Sequence, residues 1–294
     1  MQSNTVAPSS PALHSLTLGT GPPILFIHGW TLSGACEALE YEPIFSKLPQ
    51  NQSYQRIYVD LPGMGASPAG GVKNLDDILL RLARFIDEHE VLATSRFLVA
   101  GSSCGGYLAR AVVQRYCDRV DGVLLNVPMV EGDDRKRDLD ANVPIFSDPA
   151  FMATIPELER EFIGAPLVQT PAYVSRLQKK AEIWRPALEA ADSAVLDDIR
   201  ADPKRYCLSP EHLDDKARFP GPALILAGRQ DEVVGWRDCL RLLEGYPRAT
   251  FAVLDRETHA LPVDDPGLFE SLVRNWLFRV EKWRAGRGWF GGQR

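Results

Sequence analysis

Short, almost wholly apolar runs alternate along this chain with segments that repeat apolar residues every three to four positions. The runs fall at residues 23–27, 56–60, 96–100, 122–126, 223–227 and 250–254. The clearest helical pattern spans 74–91, where Leu75, Ile78, Leu79, Leu82 and Ile86 share one face. Others run from about 104 to 116, from 233 to 243 and from 266 to 282. A strand apolar on both sides must be covered on both sides, and helices between consecutive strands carry the chain back to start the next in parallel. The alternation therefore predicts an α/β fold, a mostly parallel sheet flanked by helices.

The alternation stops between 131 and 215. That stretch is rich in charge and proline and holds helical patterns near 156–162, 173–188 and 193–199, with no buried-strand run. It reads as a helical cap, or lid, inserted into a core made of 12–130 and 216–286. Residues 1–11 and 287–294 read as a disordered and a loose tail. The chain has 294 residues, 45% hydrophobic and 24% charged, with net charge −6, and so lacks the basic footprint of a nucleic-acid binder. No apolar stretch is long enough for a membrane span, and the first residues lack the basic start and apolar core of a signal peptide. Five scattered cysteines without a Cys-x-x-Cys pair argue against a disulfide framework or zinc site and for a reducing, cytoplasmic setting.

Chemistry enters at Gly101-Ser102-Ser103-Cys104-Gly105, between the run at 96–100 and a helical pattern. Gly-x-Ser-x-Gly at a strand-to-helix turn is the context of a nucleophile elbow, which lifts the serine hydroxyl above the strand's carboxyl end. A serine needs a base within reach, oriented by a third group. Of the five histidines, His14, His89 and His212 read as surface residues, and His28 belongs to the loop after the first run. His259 follows the last run, at the same sheet edge as Ser103. Asp231 follows the run at 223–227 and fits the orienting carboxylate, with Glu232, Glu131 and Asp133 as minor alternatives. The order Ser103, Asp231, His259 is that of α/β-hydrolases. Oxyanion donors are expected from the backbone N–H groups of Cys104 and Trp30, with Thr31 as the alternative to Trp30. Cys104 lies one residue past the nucleophile position and reads as a small packing residue.

These pieces resemble the α/β-hydrolase superfamily in its serine-nucleophile, capped, esterase- and lipase-like form. The matching segments are His28-Gly29-Trp30, the turn from Asp60 to Ser67, Gly101 to Gly106, Gly228 to Asp231 and Thr258-His259. The resemblance implies a metal-free and cofactor-free triad, a pocket between core and cap, and a structural role for the Asp60 turn. Ser102 and Cys104 depart from what relatives often carry beside the nucleophile. A serine nucleophile speaks against epoxide hydrolases and haloalkane dehalogenases, which attack with a carboxylate. Pocket candidates are Trp30, Thr31, Met129, Phe146 and Trp184, with further apolar cap residues such as Ile145 and Phe162. The expected activity is hydrolysis of a small or medium carboxylic ester or lactone. C–C hydrolysis of β-diketone-type substrates, thioester or acyl-transfer chemistry, hydroxynitrile lysis and a non-catalytic ligand receptor are the alternatives. The expected partner is a small molecule; oligomeric state is open, a homodimer included.

Overall fold

The computed structural model describes residues 11–49, 52–164 and 166–290. Among these residues seven strands form one sheet in the order β1-β3-β2-β4-β5-β6-β7: β1 Ser15–Leu18, β2 Pro23–Ile27, β3 Gln55–Val59, β4 Phe97–Ser102, β5 Val120–Asn126, β6 Ala223–Gly228 and β7 Ala249–Leu254. All neighbouring pairs are parallel except β1 with β3. Each of the six apolar runs is a strand. β2, β4, β5 and β6 are buried along their whole length, as strands covered on both faces must be.

Among the described residues, five α-helices lie outside the stretch between β5 and β6: α1 Gly34–Phe45, α2 Leu75–Glu88, α3 Cys104–Arg115, α8 Leu261–Asp264 and α9 Pro266–Phe290. One face of the sheet buries Leu75, Ile78, Leu82 and Ile86 of α2 with Leu108 and Val112 of α3. The other buries Tyr41 and Ile44 of α1 with Phe269, Val273 and Trp276 of α9. Between β5 and β6 lie α4 Pro149–Met152, α5 Glu157–Ile163, α6 Pro171–Ala190 and α7 Ser193–Ala201, with no strand of the sheet among the described residues.

Two expectations are corrected. The helix expected over 233–243 is instead a loop followed by one 3-10 turn, Arg237–Leu242. There the N–H groups of Val233 and Val234 donate to the Asp231 carboxylate, and Gly235 takes a left-handed φ of 71°. The loose tail expected over 287–294 is helical as far as Phe290, since extending a helix already nucleated needs little; residues 291–294 lie outside the described residues. The tail expected over 1–11 also lies outside them, except Pro11, whose carbonyl accepts from Arg81.

Candidate active site

Every loop that reaches the site leaves the carboxyl end of a parallel strand. β4 ends at Ser102, and α3 begins at Cys104, which leaves Ser103 alone in the turn at φ 56°, ψ −122°. A non-glycine residue held there is strained by about 1–3 kcal/mol and needs its surroundings to hold it. Those surroundings are explicit. The Ser103 N–H donates to Asn126 O (3.0 Å), and the Ser103 carbonyl accepts from Met129 N (2.9 Å) and Tyr107 N (3.2 Å). The flanking glycines are demanded by close approach. A Cβ on Gly105 would sit 2.1 Å from Ile27 O, and one on Gly101 would sit 2.4 Å from Gly105 O.

β6 and β7 deliver the other two groups. Asp231, 2% exposed, accepts His259 Nδ1 on one oxygen (2.8 Å) and Val233 N and Val234 N on the other (2.8 and 3.0 Å). Burial alone would raise this carboxyl; the His259 charge and the three hydrogen bonds outweigh it and leave the group below the usual aspartate range. The minor alternatives are engaged elsewhere: Glu232 accepts from Asn142, Asp133 from Arg135 and Glu131 from the N–H of Asp133. The His259 loop is pinned by Asp264, whose carboxylate accepts from the N–H and hydroxyl of Thr258 (2.6 and 2.7 Å). Tyr173 of α6 donates to the same carboxylate.

The loop after β2 completes the rim. His28 is buried between the Gly29 carbonyl, 2.7 Å from Nδ1, and Leu61 N, which donates to Nε2 at 3.0 Å. Burial holds its imidazole below the usual histidine range, and a neutral ring accepting from Leu61 at Nε2 carries its proton on Nδ1. Asp60, in the turn after β3, accepts from Gly34 N (2.7 Å) at the start of α1 and from Ala66 N (2.9 Å). These bonds give Asp60 a structural role in holding that turn against α1. Among the described residues, the backbone N–H groups of Trp30 and Cys104 have no protein acceptor.

A cavity of about 390 Å³ opens over Ser103 and His259, between the sheet edge and helices α6 and α7. Of the expected pocket residues it brings in Trp30, Thr31 and Trp184. Two expectations are corrected. Met129 is 1% exposed and packed in the core, because its N–H is tied to the Ser103 carbonyl. Phe146 is 50% exposed and held away from the cavity by a bridge to Val168. Ser103 and His259 line this cavity without a hydrogen bond between them among the described residues. Cys104 is fully buried, and burial pushes its thiol up to about 11, so it is no thiolate near neutral pH.

Sequence reasoning missed the acidic wall of this cavity. Glu37 and Glu40, three apart on α1, line it together. Glu37 is buried and accepts from Ser102 Oγ (3.0 Å), the residue before Ser103. Glu40 meets Lys180 Nζ of α6 at 3.6 Å, and that ammonium also lies 3.6 Å from the centre of the Trp184 ring. Burial raises both carboxyls, Glu37 well above the usual range, while Lys180 partly offsets this at Glu40. No periodicity marks these acids, because they face neither solvent nor an apolar core.

The model of the alpha/beta hydrolase family matches residues 24–272, which include β2 from Ile24, every later strand and all the loops just described. The chain belongs to the alpha/beta hydrolase family. It is similar to an alpha/beta superfamily hydrolase from Oenococcus oeni PSU-1, with 26% identity, a TM-score of 0.79, and coverage of 92% of this chain and 96% of that one. It is 32% identical over 117 residues to the pimeloyl-[acyl-carrier protein] methyl ester esterase of Shewanella sp. (strain MR-7), which covers 39% of this chain and 38% of that protein. It is 35% identical over 88 residues to the 2-succinyl-6-hydroxy-2,4-cyclohexadiene-1-carboxylate synthase of Escherichia coli O157:H7, covering 30% and 31%. The chain thus aligns with less than two-fifths of the length of either curated relative. Among the described residues, no helix is long and apolar enough to cross a membrane.

Proposed function

We propose that this protein is a serine hydrolase of small or medium carboxylic esters, lactones included, working through an acyl-enzyme on Ser103. The observation that carries the reading is the pairing of His259 Nδ1 with the buried Asp231 carboxylate at 2.8 Å, over a cavity shared with Ser103 at its strained turn. In this reading His259 Nε2 takes the Ser103 proton as the hydroxyl attacks the ester carbonyl, then gives it to the leaving alkoxide. Water repeats the cycle to free the acid. Asp231 holds the imidazole in the Nδ1–H tautomer and stabilises the imidazolium. The oxyanion is received by the N–H groups of Cys104, at the start of α3, and Trp30. The segment 131–215 acts as a cap, with Trp184 and Leu188 of α6 roofing the cavity. The esterase among the relatives supports the ester class.

Intact-protein mass after a fluorophosphonate probe tests the reading. One adduct on wild type and none on Ser103→Ala is expected, with ester turnover in Ser103→Ala or His259→Ala lower by about 10⁶-fold. A Ser103→Ala variant that keeps the adduct or the turnover refutes it.

A further inference from the structure

Glu40 and Lys180 separate the catalytic cavity from a second one. This second cavity, of about 290 Å³, lies between α1, α6, α8 and α9 and shares Glu40 as a wall. Lys180 lines it, while Trp184, on which the Lys180 ammonium rests, lines the catalytic cavity. Side chains of both residues therefore stand between the two cavities as a 3.6 Å ion pair, one member of which carries four rotatable bonds. The floor beyond it is apolar, formed by Ile44, Pro262, Val263 and Phe269.

Charge decides what such a space would hold. Four cations line it, Lys47, Arg176, Lys179 and Lys180, against the carboxylates Glu40 and Glu270. Lys47 is paired with Glu270 at 2.6 Å. Among the described residues, Arg176 donates to the neutral carbonyls of Val263 (2.9 Å) and Asp264 (3.1 Å) and makes no ion pair. Lys179 is exposed and makes no ion pair among the described residues. An apolar floor with surplus positive charge is complementary to an aliphatic chain ending in an anion.

We infer that the second cavity is a distal acyl subsite: the substrate's acyl chain passes Glu40 and Lys180 and places a terminal carboxylate among the lysines of α6. On this inference, which rests on the ester-hydrolase reading above, the favoured substrates are half-esters of linear dicarboxylic acids. Lys180 turns from Glu40 towards the incoming carboxylate, and the chain contacts α8, which begins two residues after His259.

The test compares monomethyl half-esters of linear dicarboxylic acids of increasing length with methyl esters of monocarboxylic acids of equal length. Wild type is expected to prefer the half-ester, by about fivefold in KM, from the length at which its tip reaches α6; fivefold is what one well-placed, partly exposed ion pair provides. Lys179→Glu, at an exposed position that folding tolerates, brings that ratio to about one or inverts it. Equal turnover of both series by wild type, or a ratio that Lys179→Glu leaves in place, overturns the subsite. Calorimetric titration of Ser103→Ala with a half-ester reads the cavity without turnover. If wild type hydrolyses no ester at all, binding to Ser103→Ala that Lys179→Glu weakens keeps the subsite while the hydrolase reading falls. Absence of that binding removes the subsite even in a protein that hydrolyses short esters.

Discussion

Replacing Glu37 by glutamine should change the slope of stability against pH, with a size fixed by one proton. Glu37 is 2% exposed, and among the described residues its carboxylate accepts one hydrogen bond, from the hydroxyl of Ser102. Lys180, the cation whose charge acts on it, is paired with Glu40 instead. Burial, reinforced by the Glu40 charge, lifts its carboxyl well above the usual glutamate range, against the smaller pull of Ser102 and Lys180. The unfolded chain gives up this proton near the ordinary value of about 4.3. Above that pH the folded state binds more protons than the unfolded state, so the contribution is full in acid and is lost as pH rises towards the raised folded value. The linkage slope for one proton is about 1.4 kcal/mol per pH unit. Glutamine keeps the shape and an acceptor for Ser102 but does not titrate. Between about pH 5 and about pH 6, urea unfolding should therefore show wild type losing about 1.4 kcal/mol more than Glu37→Gln. Glu40, also raised by burial, is present in both proteins and largely drops out of the difference. Parallel stability curves would refute the reasoning, because they require Glu37 to be ionised in the folded state beside Glu40.

Asp231→Asn removes the charge on the buried side of His259 while a neutral amide still fills the space; kcat should fall by about 10⁴-fold, measured on the best ester, with unfolding still cooperative. Gly105→Ala drives a methyl group to 2.1 Å from Ile27 O, within the sheet itself. It should destabilise by about 4 kcal/mol or more, read as a large drop in the urea midpoint, and a near-normal midpoint would show that α3 can shift away from β2. Cys104 is buried with its thiol pushed up to about 11, whereas Cys117 is exposed. Iodoacetamide near neutral pH should therefore label Cys117 and spare Cys104 in peptide mass maps, with ester turnover retained.

The parts of the fold legible in the sequence are those in which one local pattern suffices. β2 and β4–β6 lie under helices on both faces, so burial alone dictates their composition and each reads as an unbroken apolar run. β1 is a four-residue edge strand with half-buried ends and two exposed residues between them, so it carries neither an unbroken apolar run nor an alternation. α1 was hidden for the opposite reason. Its inward face mixes Ala38, Tyr41 and Ile44 with Glu37 and Glu40, and no apolar stripe survives the two acids. The segment 233–243 has helical spacing of Val234, Cys239 and Leu242, yet Gly235 and the hold of Asp231 on two N–H groups prevent the helix. Ser103, Asp231 and His259 were legible because each follows a recognisable strand, and a parallel sheet brings all such loops to one edge. Glu40 and Lys180 are separated by 140 positions of chain, so no spacing rule joins them. The same holds for Tyr173 and Asp264, which tie α6 to the loop carrying His259. Both contacts link α6 to the core on the side of His259. Motion of α6 therefore acts on His259 through Asp264 and on the cavity wall through Glu40, and substitutions at either contact should alter chain-length preference and turnover together.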